Sequence, residues 1–159
     1  MAEIMAASGE IFIVDDADFN FLSSFSWRVA RMKNGQVYAM TSRKTNGKKK
    51  SLLMHRMILN APQDMLVDHI DGNAQNNRRS NLRLATRSQN KMNSFYARGI
   101  SKYRGVSFHK GAGKWYAAIR KQGHIWHLGY FDTEEAAFAA YRLASLQLHG
   151  EFSPFRREP

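Results

Sequence analysis

The stretch "LVDHIDGNAQNNRRSNLRLATRSQN" runs from Leu66 to Asn90. Five asparagines stand behind a single Asp68-His69 pair, with almost no apolar filler. Asn is a poor helix and strand former, and a buried amide is costly unless hydrogen-bonded. The flanks are regular. "MLVDHI" reads as a short strand and "DGN" as its turn. An irregular Asn/Arg loop follows, then "NLRLAT" as the returning strand. "RSQNKMNSF" reads as a helix start, with Thr86 or Ser88 as its cap.

Asp68 and His69 are neighbours in a strand, so their side chains point to opposite sides and each needs its own partner. A neutral His takes a proton from water, and a carboxylate is a hard oxygen ligand for Mg²⁺ or Mn²⁺. A helix behind the hairpin offers a second oxygen ligand at Asn90. Asn81, just before the returning strand, is placed to hold the shape of the hairpin. Arg83 and Arg87 are candidates for gripping a phosphate.

In this order, "DHIDGN", "NNRRSNLR" and "SQN" make residues 52–93 resemble the HNH nuclease family, with its ββα-metal fold. The Asn-rich homing endonucleases of phages and introns are the nearest group. The resemblance implies His69 as general base, Asp68 and Asn90 as ligands of one divalent ion, and Asn81 as the residue that orients the His loop. "MHR" (His55-Arg56) resembles the lead-in strand, and His55 is read as structural. Many relatives staple this motif with zinc-binding cysteines. This chain has no cysteine, so Asn73, Asn76, Asn77 and Asn81 are expected to staple it by hydrogen bonds, with Mg²⁺ or Mn²⁺ and no zinc.

Charge placement points to the partner. Residues 1–27 hold five acids and no Lys or Arg, whereas residues 28–121 hold 21 Lys/Arg against three acids. Such a block, with interleaved aromatics, calls for a polyanion. The lack of cysteine fits a reducing cytoplasm, here that of a phage-infected or lysogenic bacterial host. No apolar run approaches the roughly 18 residues of a membrane helix, and the N-terminus lacks signal-peptide order.

Before the motif, "EIFIVD" reads as a strand and "DADFNFLSSFSWRVARM" as a helix opened by acids. "QVYAMTSRK" and "KSLLMHRMIL" read as two strands around an Asn46-Gly47 turn. After it, "YRGVSF", "KWYAAIRK" and "HIWHLGYF" read as three strands. "DTEEAAFAAYRLASLQLHG" reads as a helix capped by Asp132 with Glu135 three residues on. Ala137, Tyr141, Ala144 and Leu148 fall on its sheet-facing side, and Gly150 ends it.

"YRGV", "GKWYAAIR", "LGYFDTEEAAFAAY" and "HGEFSPF" make residues 103–155 resemble the Apetala-type (ethylene-response-factor) DNA-binding domain. That resemblance implies a three-stranded sheet backed by one helix, with the sheet in the major groove. Its contact positions fall on Arg104, Lys114, Tyr116 and Arg120. The family's third-strand Arg and Trp contacts fall on Ile125 and His127 here, and its second-strand Glu on Ala118, so a GC-rich target is not implied.

The expectation is an α+β protein in four parts. An N-terminal β-rich accessory segment spans 1–60, and the nuclease motif spans 61–95, with a lead-in strand from about 51. A linker spans 96–102 and the Apetala-type domain 103–155. The expected function is a metal-dependent, homing-type DNA endonuclease acting on double-stranded DNA. A monomer would nick and a homodimer could make a double-strand break. The alternative is a non-catalytic DNA-binding regulator on the same scaffold.

Overall fold

The computed structural model describes residues 1–32, 35–95, 97 and 99–157, without the side chains of Thr45 and Arg157. The linker read at 96–102 includes Tyr96 and Arg98, which lie outside the described residues. The chain forms an α+β fold in two compact units, Met1–Arg87 and Ser88–Pro159. Among the described residues, no helix is long and apolar enough to cross a membrane.

The first unit opens with β1 (Ala2–Met5) paired antiparallel to β2 (Ile11–Val14), followed by α1 (Asp16–Ser23). β3 (Arg28–Arg31), β4 (Val37–Thr45) and β5 (Lys48–Leu53) make a three-stranded sheet. α2 (Met54–Ile58) follows, then the hairpin β6 (Leu66–His69) and β7 (Leu82–Ala85). Asn46 and Gly47 both take positive φ in the β4–β5 turn, as the sequence predicts. Two expectations are corrected. "SWRVARM" leaves the helix after Ser23 and forms β3. "MHRMI" is not strand but the short helix α2, which buries Met54, His55 and Ile58.

One core holds these pieces together. Ile4, Phe12 and Val14 from the first hairpin pack with Leu22 and Trp27, with Ala39 of β4, with Met54 and Ile58 of α2, and with Leu82 of β7. Val67 of β6 packs against the same cluster. Residues on both sides of Pro62 therefore share one core.

The free edge of β2 is stitched to the Asn/Arg loop. Ile13 N donates to Gln75 O (2.9 Å), and Asn77 N donates to Ile13 O (2.7 Å). Gln75 Nε2 reaches Ile11 O at 2.9 Å. The acids of α1 complete the clamp. Arg79 Nε and Nη2 donate to the two oxygens of Asp18, both at 2.8 Å. Asp15 accepts from Arg79 N (2.8 Å) and Arg78 Nε (3.1 Å). The acidic N-terminus thus neutralises two arginines of the loop.

The second unit holds α3 (Arg87–Met92, whose first residue closes the first unit), then β8 (Val106–His109), β9 (Lys114–Lys121) and β10 (His124–Phe131), in sheet order β10-β9-β8. α4 (Glu134–His149) packs on that sheet. Val106, Ala117 and Ile119 face it, and Ala137, Tyr141 and Ala144 are the helix's buried positions. The small side chains let backbone and helix approach closely. At Gly105 (φ +75°) a Cβ would lie 2.1 Å from ring carbons of Tyr141, so "YRGV" needs its glycine. The helix cap is Thr133, not Asp132: Thr133 Oγ1 accepts from Ala136 N at 3.1 Å. Asp132 instead pairs with Lys114 at 3.1 Å.

Candidate active site and nucleic-acid interface

His69 and Asp68 sit on adjacent positions of β6, both about 5% exposed, and each has its own partner. His69 Nε2 lies 3.2 Å from Asn77 Oδ1. The orientation of that amide is set by its nitrogen, which donates to Ala74 O and Gln75 O, both at 3.3 Å. With its oxygen toward the imidazole, the contact suits the tautomer that carries its proton on Nε2 and its basic lone pair on Nδ1.

The imidazole is boxed by rings. His55 packs edge-on at 5.2 Å between centroids and Tyr38 at 6.0 Å, while Tyr38 and His55 meet at 5.3 Å. Burial lowers the His69 pKa, against the opposing pull of the Asn77 hydrogen bond and of Asp71 and Asp68. The ring is thus neutral near pH 7 and able to accept a proton. His55, read from sequence as structural, is pushed down to about 3 by burial, with His69 and Arg56 adding to the shift. Burial also raises the Tyr38 pKa, as does the Asp68 charge.

This predicts an acid-labile first unit. His55 binds its proton more weakly folded than unfolded, so its contribution is complete above about pH 6.5 and is lost as pH falls toward 3. The slope is about 1.4 kcal/mol per pH unit. Denaturant unfolding at pH 7.5 and 5.5, followed through Trp27 with Trp115 and Trp126 replaced by Phe, should show this loss with His55 intact. It should shrink in His55→Leu.

Asp68 faces Arg83, its registered partner on β7. Arg83 Nε and Nη2 donate to Asp68 Oδ2 at 2.9 and 2.7 Å. Both side chains are largely buried. Arg83, expected at a phosphate, thus serves the carboxylate in this state. Arg87 is exposed at the start of α3. Asn90 lies on α3 as predicted, in the second unit.

Most of the loop's amide groups are hydrogen-bonded within the loop, and among the described residues Asn76 Oδ1 is the buried side-chain oxygen left without a partner. Asn81 Oδ1 accepts from Asp71 N at 2.9 Å, and its Nδ2 donates to Asp71 Oδ1 (2.9 Å) and Asn76 O (2.7 Å). Asn76 Nδ2 reaches Asp71 Oδ2 at 2.8 Å, and Asn73 Oδ1 caps Gln75 N at 3.0 Å. The hub is Asp71, which sequence reasoning passed over. The "DGN" context that makes it a turn residue was the available signal. The sequence suggests only a scaffold role for Asn77, yet its amide touches His69.

Among the described residues, no three His, Cys, Asp or Glu side chains gather to hold a metal. The oxygen donors near His69 are the buried Asp68 carboxylate and the amides of the loop. That set suits a hard ion that keeps much of its water.

The second unit offers a face. Register puts Ser107, Tyr116, Ala118 and Arg120 on the side of the sheet away from α4, with Ile125, His127 and Tyr130. A groove of about 650 Å³ there is lined by Lys91, Arg104, Tyr116 and Arg120 among others. Arg104, expected to contact DNA, donates to the carbonyls of Met92 (3.0 Å) and Ser94.

Comparison with known proteins follows the same division. A family described as HNH endonuclease matches residues 60–92. An uncharacterized HNH endonuclease of Acanthamoeba polyphaga mimivirus is 38% identical over 92 residues, 58% of this chain and 47% of the relative. Protein 3.8 of Escherichia phage T7 is 32% identical over 96 residues, 60% of this chain and 78% of the relative. An ethylene-responsive transcription factor of Arabidopsis thaliana is 42% identical over 65 residues, 40% of this chain. The chain spans about half of the mimivirus protein and 15% of the plant one.

Proposed function

Residues 60–92 match the HNH endonuclease family, and on that premise we propose that the chain is a divalent-metal-dependent endonuclease cutting the backbone of double-stranded DNA. The observation that carries this reading is the His69–Asn77 contact. A proton on Nε2 would answer the Asn77 oxygen and make Nδ1 the basic nitrogen, one residue along β6 from the buried Asp68 carboxylate.

In this reading His69 Nδ1 takes a proton from water, and the resulting hydroxide attacks phosphorus. Asn77 holds the ring through Nε2 and stabilises the imidazolium that forms. Asn81 and Asp71 keep the loop behind it from shifting. Asp68 and Asn90 would hold the ion, which when bound neutralises charge developing on the leaving 3′ oxygen. Arg83 carries the Asp68 charge until then, and would be released to meet a phosphate when the ion takes that carboxylate. The C-terminal sheet holds the duplex, with Lys91 and Arg120 bordering its groove. This Apetala-like role goes with a phage or prophage homing enzyme in a bacterial cytoplasm.

The metal assignment has a direct test. Calorimetric titration of Mn²⁺ into the full chain should show one site, and Asp68→Asn should lose at least tenfold in affinity, together with cleavage. Undiminished Mn²⁺ affinity and cleavage in Asp68→Asn would remove Asp68 from the metal site.

A further inference from the structure

The outer face of the C-terminal sheet is less basic than strand alternation suggests. Lys114 is paired with Asp132, and Arg104 with backbone carbonyls. A bulge between His127 and Gly129, where Gly129 takes φ +124°, shifts the register. It turns Tyr130 onto the same face as His127, three residues back, which simple alternation would forbid.

What occupies the centre is ring and methyl surface. The Tyr116 hydroxyl bonds His127 Nδ1, and the Tyr116 ring lies 5.3 Å from that of Tyr130. Ala118 pairs with His127, and Ile125 with Arg120. Ile125 is 38% exposed and Tyr130 52% exposed. Guanine is read in the major groove by bidentate Arg or Lys, whereas thymine presents a C5 methyl that apolar side chains contact.

We propose that this face selects thymine-bearing base pairs, with Ala118 and Ile125 against the C5 methyl and Arg120 on the flanking backbone. The hydrogen-bonded Tyr116–His127 pair holds a rigid wall beside them. The inference rests on the reading of the sheet as the DNA-binding surface.

The test uses the full chain in EDTA, so that cleavage does not intervene. Duplexes are selected from a random pool, and the best site is remade with deoxyuridine for thymidine. The expected site has A·T pairs at its centre, and each contacted methyl removed weakens binding about fourfold. Ile125→Ala, a surface change, should lose most of the preference for thymine over uracil while still binding. A G·C-rich site, or equal affinity for the two duplexes, would overturn the proposal while leaving DNA binding intact. A pool with no enrichment would overturn both it and the reading beneath it.

Discussion

His69→Ala should lose cleavage by 10²- to 10⁴-fold, the usual contribution of a positioned general base. Affinity for duplex DNA in EDTA should stay within about twofold, because a buried imidazole 5% exposed offers no phosphate contact. Alanine also opens a gap between His55 and Tyr38, so His69→Gln is the companion variant. Gln refills the site and can still meet Asn77, but it cannot take a proton. Both should be inactive. Cleavage at the wild-type rate in His69→Gln would mean that the imidazole packs but does no chemistry.

The second large effect is structural. Asn81→Ala removes three hydrogen bonds, two to Asp71 and one to Asn76 O. At about 1 kcal/mol net for each, the first unit should lose about 3 kcal/mol. The Asp71 amide should lose protection from hydrogen exchange, since Asn81 Oδ1 is its acceptor. Cleavage should fall with it, because the Asp71 turn directly follows the His69 strand. Asn81→Asp should not rescue. It restores an acceptor for Asp71 N but sets a carboxylate against Asp71 Oδ1, where a donor is needed. An Asn81→Ala protein with unchanged unfolding and unchanged exchange at Asp71 would show that the loop is held elsewhere.

That loop explains what was legible in the sequence and what was not. The β6–β7 hairpin was readable because its strands are short apolar runs on either side of a polar turn. The three C-terminal strands and α4 were readable for the same reason: period two gives way to period 3.6. Local pattern could not show that β2 would lend its edge to Gln75 and Asn77, or that Asp15 and Asp18 would take Arg78 and Arg79. These are contacts across some sixty positions of sequence.

Asp18 looked like a helix-opening acid, and it is one, but its carboxylate also serves the loop. The sequence points to Asp68 and His69, and both are buried side by side on β6. The partners, Arg83 and Asn77, follow from strand register and loop path, which composition does not encode. The bulge at Gly129 is a similar case. The alternation in "HIWHLGYF" puts His127 and Tyr130 on opposite faces, and one extra residue brings them together.

The central claim is that this site hydrolyses DNA with a metal ion. Its most direct test is a supercoiled plasmid bearing the selected site, incubated with the full chain in Mg²⁺, in Mn²⁺ and in EDTA. Open-circle or linear product with either metal, and none in EDTA, is the expected result; the form of the product distinguishes nicking from double-strand cutting. A plasmid bound tightly in every condition and cut in none would contradict it, leaving a DNA-binding regulator built on a nuclease fold.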